Sequence, residues 1–286
     1  MSTAFRFAPG GRERLLLLDR TLDAAYGAPE SVLGNHPNVL DEAIYIILSF
    51  QTDLTRFRHT WEGLRTAFPR WDDADRASVS EIADVLRSGG LHQQKAKIIK
   101  NLIRAVHSTF GELSLDALHH MDDSTAERVL TRLPGLSWKA ARCVLLYSLQ
   151  RPVFPVDGNT FRILRRTSII PSSSVYRRRL LHDALQDAVP TDRRRAFHVN
   201  LVVHGQRTCS TRAPRCESCC ALPACQRRGL QALNAASANR DSRLARAAGG
   251  LPSARRRPHR DDNPVPDTRR ATRSWASDAQ CLSDGG

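Results

Sequence analysis

Lysine is nearly missing from this chain. Of its 43 basic residues only Lys95, Lys97, Lys100 and Lys139 are lysines. The rest are arginines, which stay protonated and cannot serve as amine nucleophiles. Lys139, away from the other three, is thus a residue whose amine needs explaining. Long apolar runs are missing as well. The longest, AIYIILSF at 43–50, falls far short of the roughly 20 residues that a bilayer-spanning helix requires, so no membrane span is expected. Near the N-terminus there is only the short Leu15 to Leu18 run, without a small-residue cleavage site. A secretory signal is therefore not expected, and an intracellular location is. Strand-like alternation of any length is absent, as is any solenoid-type repeat, which leaves an all-α chain.

What is present is positive charge: a net +14 and a pI near 10.3. A basic surface attracts nucleic acid by releasing its condensed counterions; a merely solvated basic surface is the plainer alternative. At 286 residues the chain can bury a full core and hold one or two domains. Composition changes near residue 231. The last 56 residues carry ten arginines, six aspartates and only five Leu, Ile or Val, too little apolar surface to offset the entropy of ordering. A disordered basic tail over 231–286 is the expectation, and the part before it is basic in its own right.

Helices are predicted over 11–26, from Pro37 to about Phe50, and over 53–67 and 80–88. Ser78 and Glu81 stand at capping-box spacing before the last of these, and Gly89 and Gly90 follow it. Further helices are predicted over 92–109, 123–132, 138–149, 158–167, 174–188 and 192–205. Between Arg151 and Asn159 the sequence RPVFPVDGN reads as extended, because each proline disfavours helix at the residue before it.

The densest signal is Cys209, Cys216, Cys219 and Cys225, separated by six, two and five residues. Disulfide frameworks belong to small secreted domains, and structural zinc sites usually pair two C-x-x-C knuckles, of which this stretch has one. An iron–sulfur cluster held by four thiolates fits better. Cys143 reads as a buried thiol, Cys281 as a tail thiol, and Cys220 as a neighbour outside the ligand set. Upstream, LPGLSWKAA at 133–141 joins two predicted helices through a Gly-containing turn. Such a turn can aim backbone N–H groups and a helix N-terminus at a phosphate; an ordinary helix–helix connection carries the same Pro and Gly marks. Eighteen residues after Lys139 comes Asp157, in FPVDGNTFRI. Taken singly, Lys139 reads equally well as a phosphate contact and Asp157 as a helix N-cap.

HGQRTC followed by this cysteine spacing resembles the cluster loop of the endonuclease III family of DNA glycosylases. LPGLSWKAA resembles that family's LPGVGxKTA hairpin with Ser137 in place of the second glycine and an unusual Trp138, and FPVDGNTFRI resembles its VDTHVxR segment. The resemblance covers about residues 11 to 228. It implies a two-lobed all-α DNA glycosylase fold with a helix-hairpin-helix and an iron–sulfur loop. Residues 30–150 form one domain, and 1–29 plus 151–230 the other. It also implies Lys139 and Asp157 as catalytic residues, Cys209, Cys216, Cys219 and Cys225 as ligands of a [4Fe-4S] cluster, and Pro134, Gly135, Leu136 and Ser137 as the DNA-facing turn. ILSFQTD resembles LLSxQxxD, one residue short before Asp53, and carries Gln51 over as the residue that fills the gap left by an extruded nucleotide. GLHQQKAKIIKNL resembles GLYxxKAxxI, placing Leu91 and His92 on the DNA-facing rim as wedges; a core leucine and a surface histidine are the plain readings. Arg212 and Arg215, inside the cysteine loop, read as phosphate contacts or as solvated arginines.

The function implied is excision of a damaged or modified base from double-stranded DNA, followed by cleavage 3′ to the abasic site through a lysine Schiff base. The protein would act as a monomer away from membranes, in the cytoplasm at the nucleoid if the source is bacterial. Three alternatives stay open. An adenine glycosylase shares Asp157, Gly158 and Asn159 but lacks the lysine. A plant-type 5-methylcytosine glycosylase shares FPVDxN. A non-catalytic DNA-binding module could keep the hairpin and the cluster.

Overall fold

In the computed structural model, which describes residues 4–29, 34–52 and 54–227, every regular element is helical and no strand occurs among the described residues. In chain order the helices are α1 (Gly11–Tyr26), α2 (Val39–Leu48), α3 (Leu54–Ala67), α4 (Trp71–Arg76), α5 (Val79–Val85) and α6 (His92–Phe110). After them come α7 (Asp123–Arg132), α8 (Trp138–Tyr147), α9 (Gly158–Arg166), α10 (Arg179–Ala188) and α11 (Arg194–Arg207). Met1–Gln226 is one compact unit. The tail over 231–286, with Cys281, lies outside the described residues, as does Asp53.

Local chemistry accounts for most helix ends. Ser78 and Glu81 make both bonds of a capping box at α5, Glu81 accepting from the Ser78 amide at 2.7 Å and Ser78 from the Glu81 amide at 3.2 Å. At α2 the cap is Asn38, which accepts from the Asp41 amide at 2.9 Å. Pro37 therefore precedes the helix rather than sitting in its first turn. Helix α4 is absent from the sequence reading, being too short to show a period. It is anchored by buried Trp71, whose indole N–H donates to Asp41 at 2.7 Å beneath the Arg65 guanidinium. Helix α10 starts later than predicted, at Arg179, because the residues after Pro171 are taken up by successive turns.

Two hydrophobic clusters organise the unit. One is built from α2 to α8 with Val153; the other gathers α1, Phe154, Val156, α9, α10 and the segment around Ala221 and Ala224. Helix α11 serves both. Its Val199 and Val203 pack into the first cluster and its Phe197 and Leu201 into the second, and its run from Phe197 to Gly205 is buried throughout, with His198, Asn200 and His204 among the buried residues. The extended link 151–157 crosses between the clusters with some of its backbone groups satisfied from outside. The Phe154 amide donates to Gln186 at 2.9 Å, and Arg194 donates to the Pro152 carbonyl at 2.7 Å.

The α7–α8 turn tolerates one departure because it needs only one left-handed residue. Gly135 has φ +83°, and a Cβ there would lie 2.3 Å from the Ile98 side chain. Ser137 instead adopts an extended φ of −75° and caps α8 through the Ala140 amide. Gly135→Ala is expected to cost about 2–4 kcal/mol of unfolding free energy in urea titrations. Gly63→Ala, inside α3 with nothing within 4 Å of the added Cβ, is expected to gain about 0.5–1 kcal/mol. Equal effects at the two positions would contradict this account of the turn.

Candidate functional site

Lys139 is carried into position by the first turn of α8, directly after the Ser137 cap. Asp157 arrives from the other direction, at the end of the extended link, where it caps α9. Its Oδ1 accepts from the Thr160 amide at 2.7 Å and its Oδ2 from Asn159 Nδ2 at 3.0 Å. Both side chains line one cavity of about 230 Å³. Its other walls come from α2 (Tyr45, Ile46, Ser49), α8 (Cys143, Tyr147) and α11 (His198, Val202, Gln206), with Asn35 on the strap before α2. Lys139 also places its ammonium 5.6 Å from the centre of the Phe50 ring.

Charge in this cavity is sharply sorted. Burial pushes the Asp157 pKa up, but His198, the Thr160 amide and the Lys139 charge outweigh it and hold the carboxyl below its ordinary value. His198 is itself lowered to about 4, by burial first and against the pull of Asp157. At neutral pH the imidazole is therefore uncharged, so the capping amide and Lys139 are what stabilise the carboxylate there. Cys143 is pushed up to about 11 by burial, with Lys139 pulling the other way, and stays a thiol. His198 was not singled out from sequence. The one available signal was a histidine on an otherwise apolar stretch shortly before HGQRTC.

The remaining expected contacts do not enter this cavity. Gln51, exposed and left-handed at φ +53°, follows α2; Leu91, also left-handed and 47% exposed, precedes α6, whose first residue is the half-buried His92. One buried ammonium ties their two loops together. Lys95 donates to the Leu48 carbonyl at 2.8 Å, to the Thr52 hydroxyl at 2.5 Å and to the Gly89 carbonyl at 3.3 Å, and burial lowers its pKa. In the hairpin turn Gly135 and Ser137 are exposed and Pro134 is half-buried. The Leu136 side chain is buried and its amide already donates to the Leu133 carbonyl. Arg212 and Arg215 are exposed on the cysteine loop.

That loop is clamped by two arginines of α9. Arg162 donates to the carbonyls of Cys209 and Gly205, at 3.0 and 2.9 Å, and to Asn159 Oδ1 at 2.8 Å; Arg166 donates to the carbonyls of Ser210 and Thr211 and to the Cys209 sulfur at 3.3 Å. Gly205 allows this approach, because a Cβ there would meet Asn159 at 2.6 Å. Cys209, Cys216, Cys219 and Cys225 all lie outside disulfides. Cys219 is pushed up to about 11, by burial first, with Cys220, Cys225 and Cys209 adding to the rise. Among the described residues no three His, Cys, Asp or Glu side chains converge tightly enough to hold an ion. No described helix is long and apolar enough to cross a membrane.

The sequence profile of the HhH-GPD superfamily base excision DNA repair proteins matches residues 44–185. A protein of Arabidopsis thaliana, provisionally named as a DNA glycosylase, is 30% identical over 169 residues, which are 59% of this chain and 57% of that protein. Endonuclease III of Escherichia coli is 30% identical over 149 residues, 52% of this chain and 64% of the enzyme. The chain thus covers under two thirds of either relative. Among solved structures, a non-covalent endonuclease III–DNA complex aligns with a TM-score of 0.65 at 20% identity, over 76% of this chain and 95% of that one. That likeness is one of fold.

Two outcomes follow from the charges and the clamp. Because folding lowers the His198 pKa from 6.5 to about 4, the unfolded chain takes up its proton first on acidification. His198 should make stability fall as pH drops from 6.5 towards 4, by up to about 3 kcal/mol, and not above 6.5. His198→Gln should flatten that part of the curve. Arg166→Ala, which strips several loop carbonyls of their donor, is expected to cost about 2–4 kcal/mol in urea unfolding.

Proposed function

Because this chain belongs to the HhH-GPD superfamily of base-excision DNA repair proteins, we propose that it removes a damaged or modified base from duplex DNA and then cuts the strand 3′ to the abasic site. The observation that carries the proposal is that Lys139 and Asp157, carried by α8 and α9, which pack in different hydrophobic clusters, line one cavity. Such chemistry requires the target nucleotide to leave the base stack, and the cavity is where it would be received. The DNA would approach over the hairpin turn and over Gln51, Leu91 and His92, with Arg212 and Arg215 at phosphates. The two clusters are read as two domains, 30–150 and 1–29 plus 151–230.

As the glycosidic bond breaks, its electron pair leaves with the base and positive charge grows on the deoxyribose. An ionised Asp157 facing that sugar stabilises the charge. The Lys139 amine then attacks C1′, its proton passing to Asp157 or water, and ring opening gives an imine between Lys139 and C1′. The imine makes the C2′ proton acidic. When that proton leaves, the C–H electron pair forms a C2′–C3′ double bond and expels the 3′ phosphate. Water then frees the lysine.

Cys209, Cys216, Cys219 and Cys225 would hold a [4Fe-4S] cluster. The fit is chemical: four cysteines outside any disulfide and no carboxylate in the set, a loop with carbonyls bound by Arg162 and Arg166, and an Arg166 N–H directed at the Cys209 sulfur. Bound there, the cluster supplies a rigid brace for the loop bearing Arg212 and Arg215.

Borohydride should trap a covalent adduct with a duplex containing an abasic site, and Lys139→Gln should abolish it. No adduct with the unaltered protein removes the lyase reading. Asp157→Asn should keep DNA affinity while excision falls by about a hundredfold or more. Cys216→Ser should lose iron and sulfide on analysis, whereas Cys220→Ser should retain both.

A further inference from the structure

Asn35 reaches the cavity from the strap before α2, and among the described residues of that strap no other side chain lines it. Its Nδ2 lies 2.6 Å from Glu42 Oε1, while Glu42 Oε2 accepts from the His36 amide at 2.8 Å. Glu42 is fully buried in α2. A carboxylate in that place is costly unless every oxygen is met by a donor, and both of these oxygens are. The arrangement also fixes which way the Asn35 amide faces. An ionised carboxylate can only accept, so the NH₂ of Asn35 must point at Glu42 and its carbonyl oxygen must point away. Among the described residues that oxygen has no hydrogen-bond partner.

Three of the other polar side chains around the cavity are already engaged, while Gln206, which also lines it, is exposed. Ser49 donates to the Ile46 carbonyl at 2.7 Å, Thr52 is shared between Lys95 and the Gly89 carbonyl, and Asn159 is spent on Asp157 and Arg162. We propose that Asn35 is a specificity-determining residue, its carbonyl oxygen accepting a hydrogen bond from an N–H on the edge of the extruded base, and that Glu42 is the positioning residue that sets the amide's direction. The inference rests on the function proposed above and assigns the base-reading group within that same cavity. It selects bases that present an N–H or amino donor to that wall. A base offering only acceptors there leaves two lone pairs facing each other, a mismatch of the kind that sites built around a hydrogen bond reject strongly. Burial raises the Glu42 pKa to about 7, against the His36 amide, Asn35 and the Lys139 charge. Above that pH the amide has one orientation.

The test uses a substrate without a base. At alkaline pH, cleavage is measured on one duplex sequence carrying, in turn, an abasic site, thymine glycol, uracil opposite guanine, and 5-methylcytosine. Asn35→Ala should lower the ratio of base excision to abasic-site cleavage by about tenfold or more. Asn35→Asp, which keeps an acceptor, should recover part of that ratio. Glu42→Gln, which presents its own NH₂ to Asn35 and so frees the amide to turn, should lower it by an intermediate factor. A ratio unchanged in Asn35→Ala overturns the assignment, as does a parallel loss on all four duplexes, which would mark Asn35 as structural. Cleavage of the abasic duplex with none of the three bases excised by the unaltered protein overturns it too. If the unaltered protein does not cut the abasic duplex at all, it is the lyase reading that fails.

Discussion

Keeping a carboxylate ionised at the seam between two hydrophobic clusters is the constraint on which this site depends. Burial alone would raise the Asp157 pKa and neutralise the group. The α9 N-terminus prevents this, because Asp157 is also the helix cap and takes the Thr160 amide at 2.7 Å. The plain structural reading of Asp157 and the chemical one are therefore the same fact. The capping bond preserves the charge, and the proposed chemistry uses it.

The rest of the architecture brings an amine to that charge. Lys139 lies in the first turn of α8 and Asp157 caps α9 at the end of the link after α8, so the two are carried by helices packed in different clusters. Helix α11 is wedged between those clusters and sets their spacing, with His198 turned into the cavity as a neutral ring. Arg162 couples this seam to the cysteine loop, touching Asn159 at one end and Cys209 at the other. A disturbance of that loop thus has a direct hydrogen-bonded route to the residue beside Asp157.

Nearly all of the helical framework could be read from periodicity, caps and breakers. The Ser78–Glu81 capping box, the left-handed backbone at Gly135 and the proline-restricted link each reflect a backbone constraint spanning a few residues, so these features are written locally. The misreadings have equally local causes. Helix α4 has too few residues to show a period, and Pro37 lies one position before a cap that Asn38 provides. Ser137, which departs from the expected glycine, costs the turn nothing because its backbone is not left-handed.

Sequence by itself determined the all-α class, the cysteine spacing and the order of amine, carboxylate and thiols, because these are properties of composition and of contacts made within a turn or two. Tertiary structure decided what surrounds them. Glu42 and Asn35, Lys95 and its two loops, His198 between Tyr147 and Asp157, and the two α9 arginines on the cysteine loop are all partnerships formed when helices pack. Burial and the meeting of distant donors and acceptors set both the charge of a group and the direction of an amide. Neither can be read along the chain, because neither exists until the chain has folded.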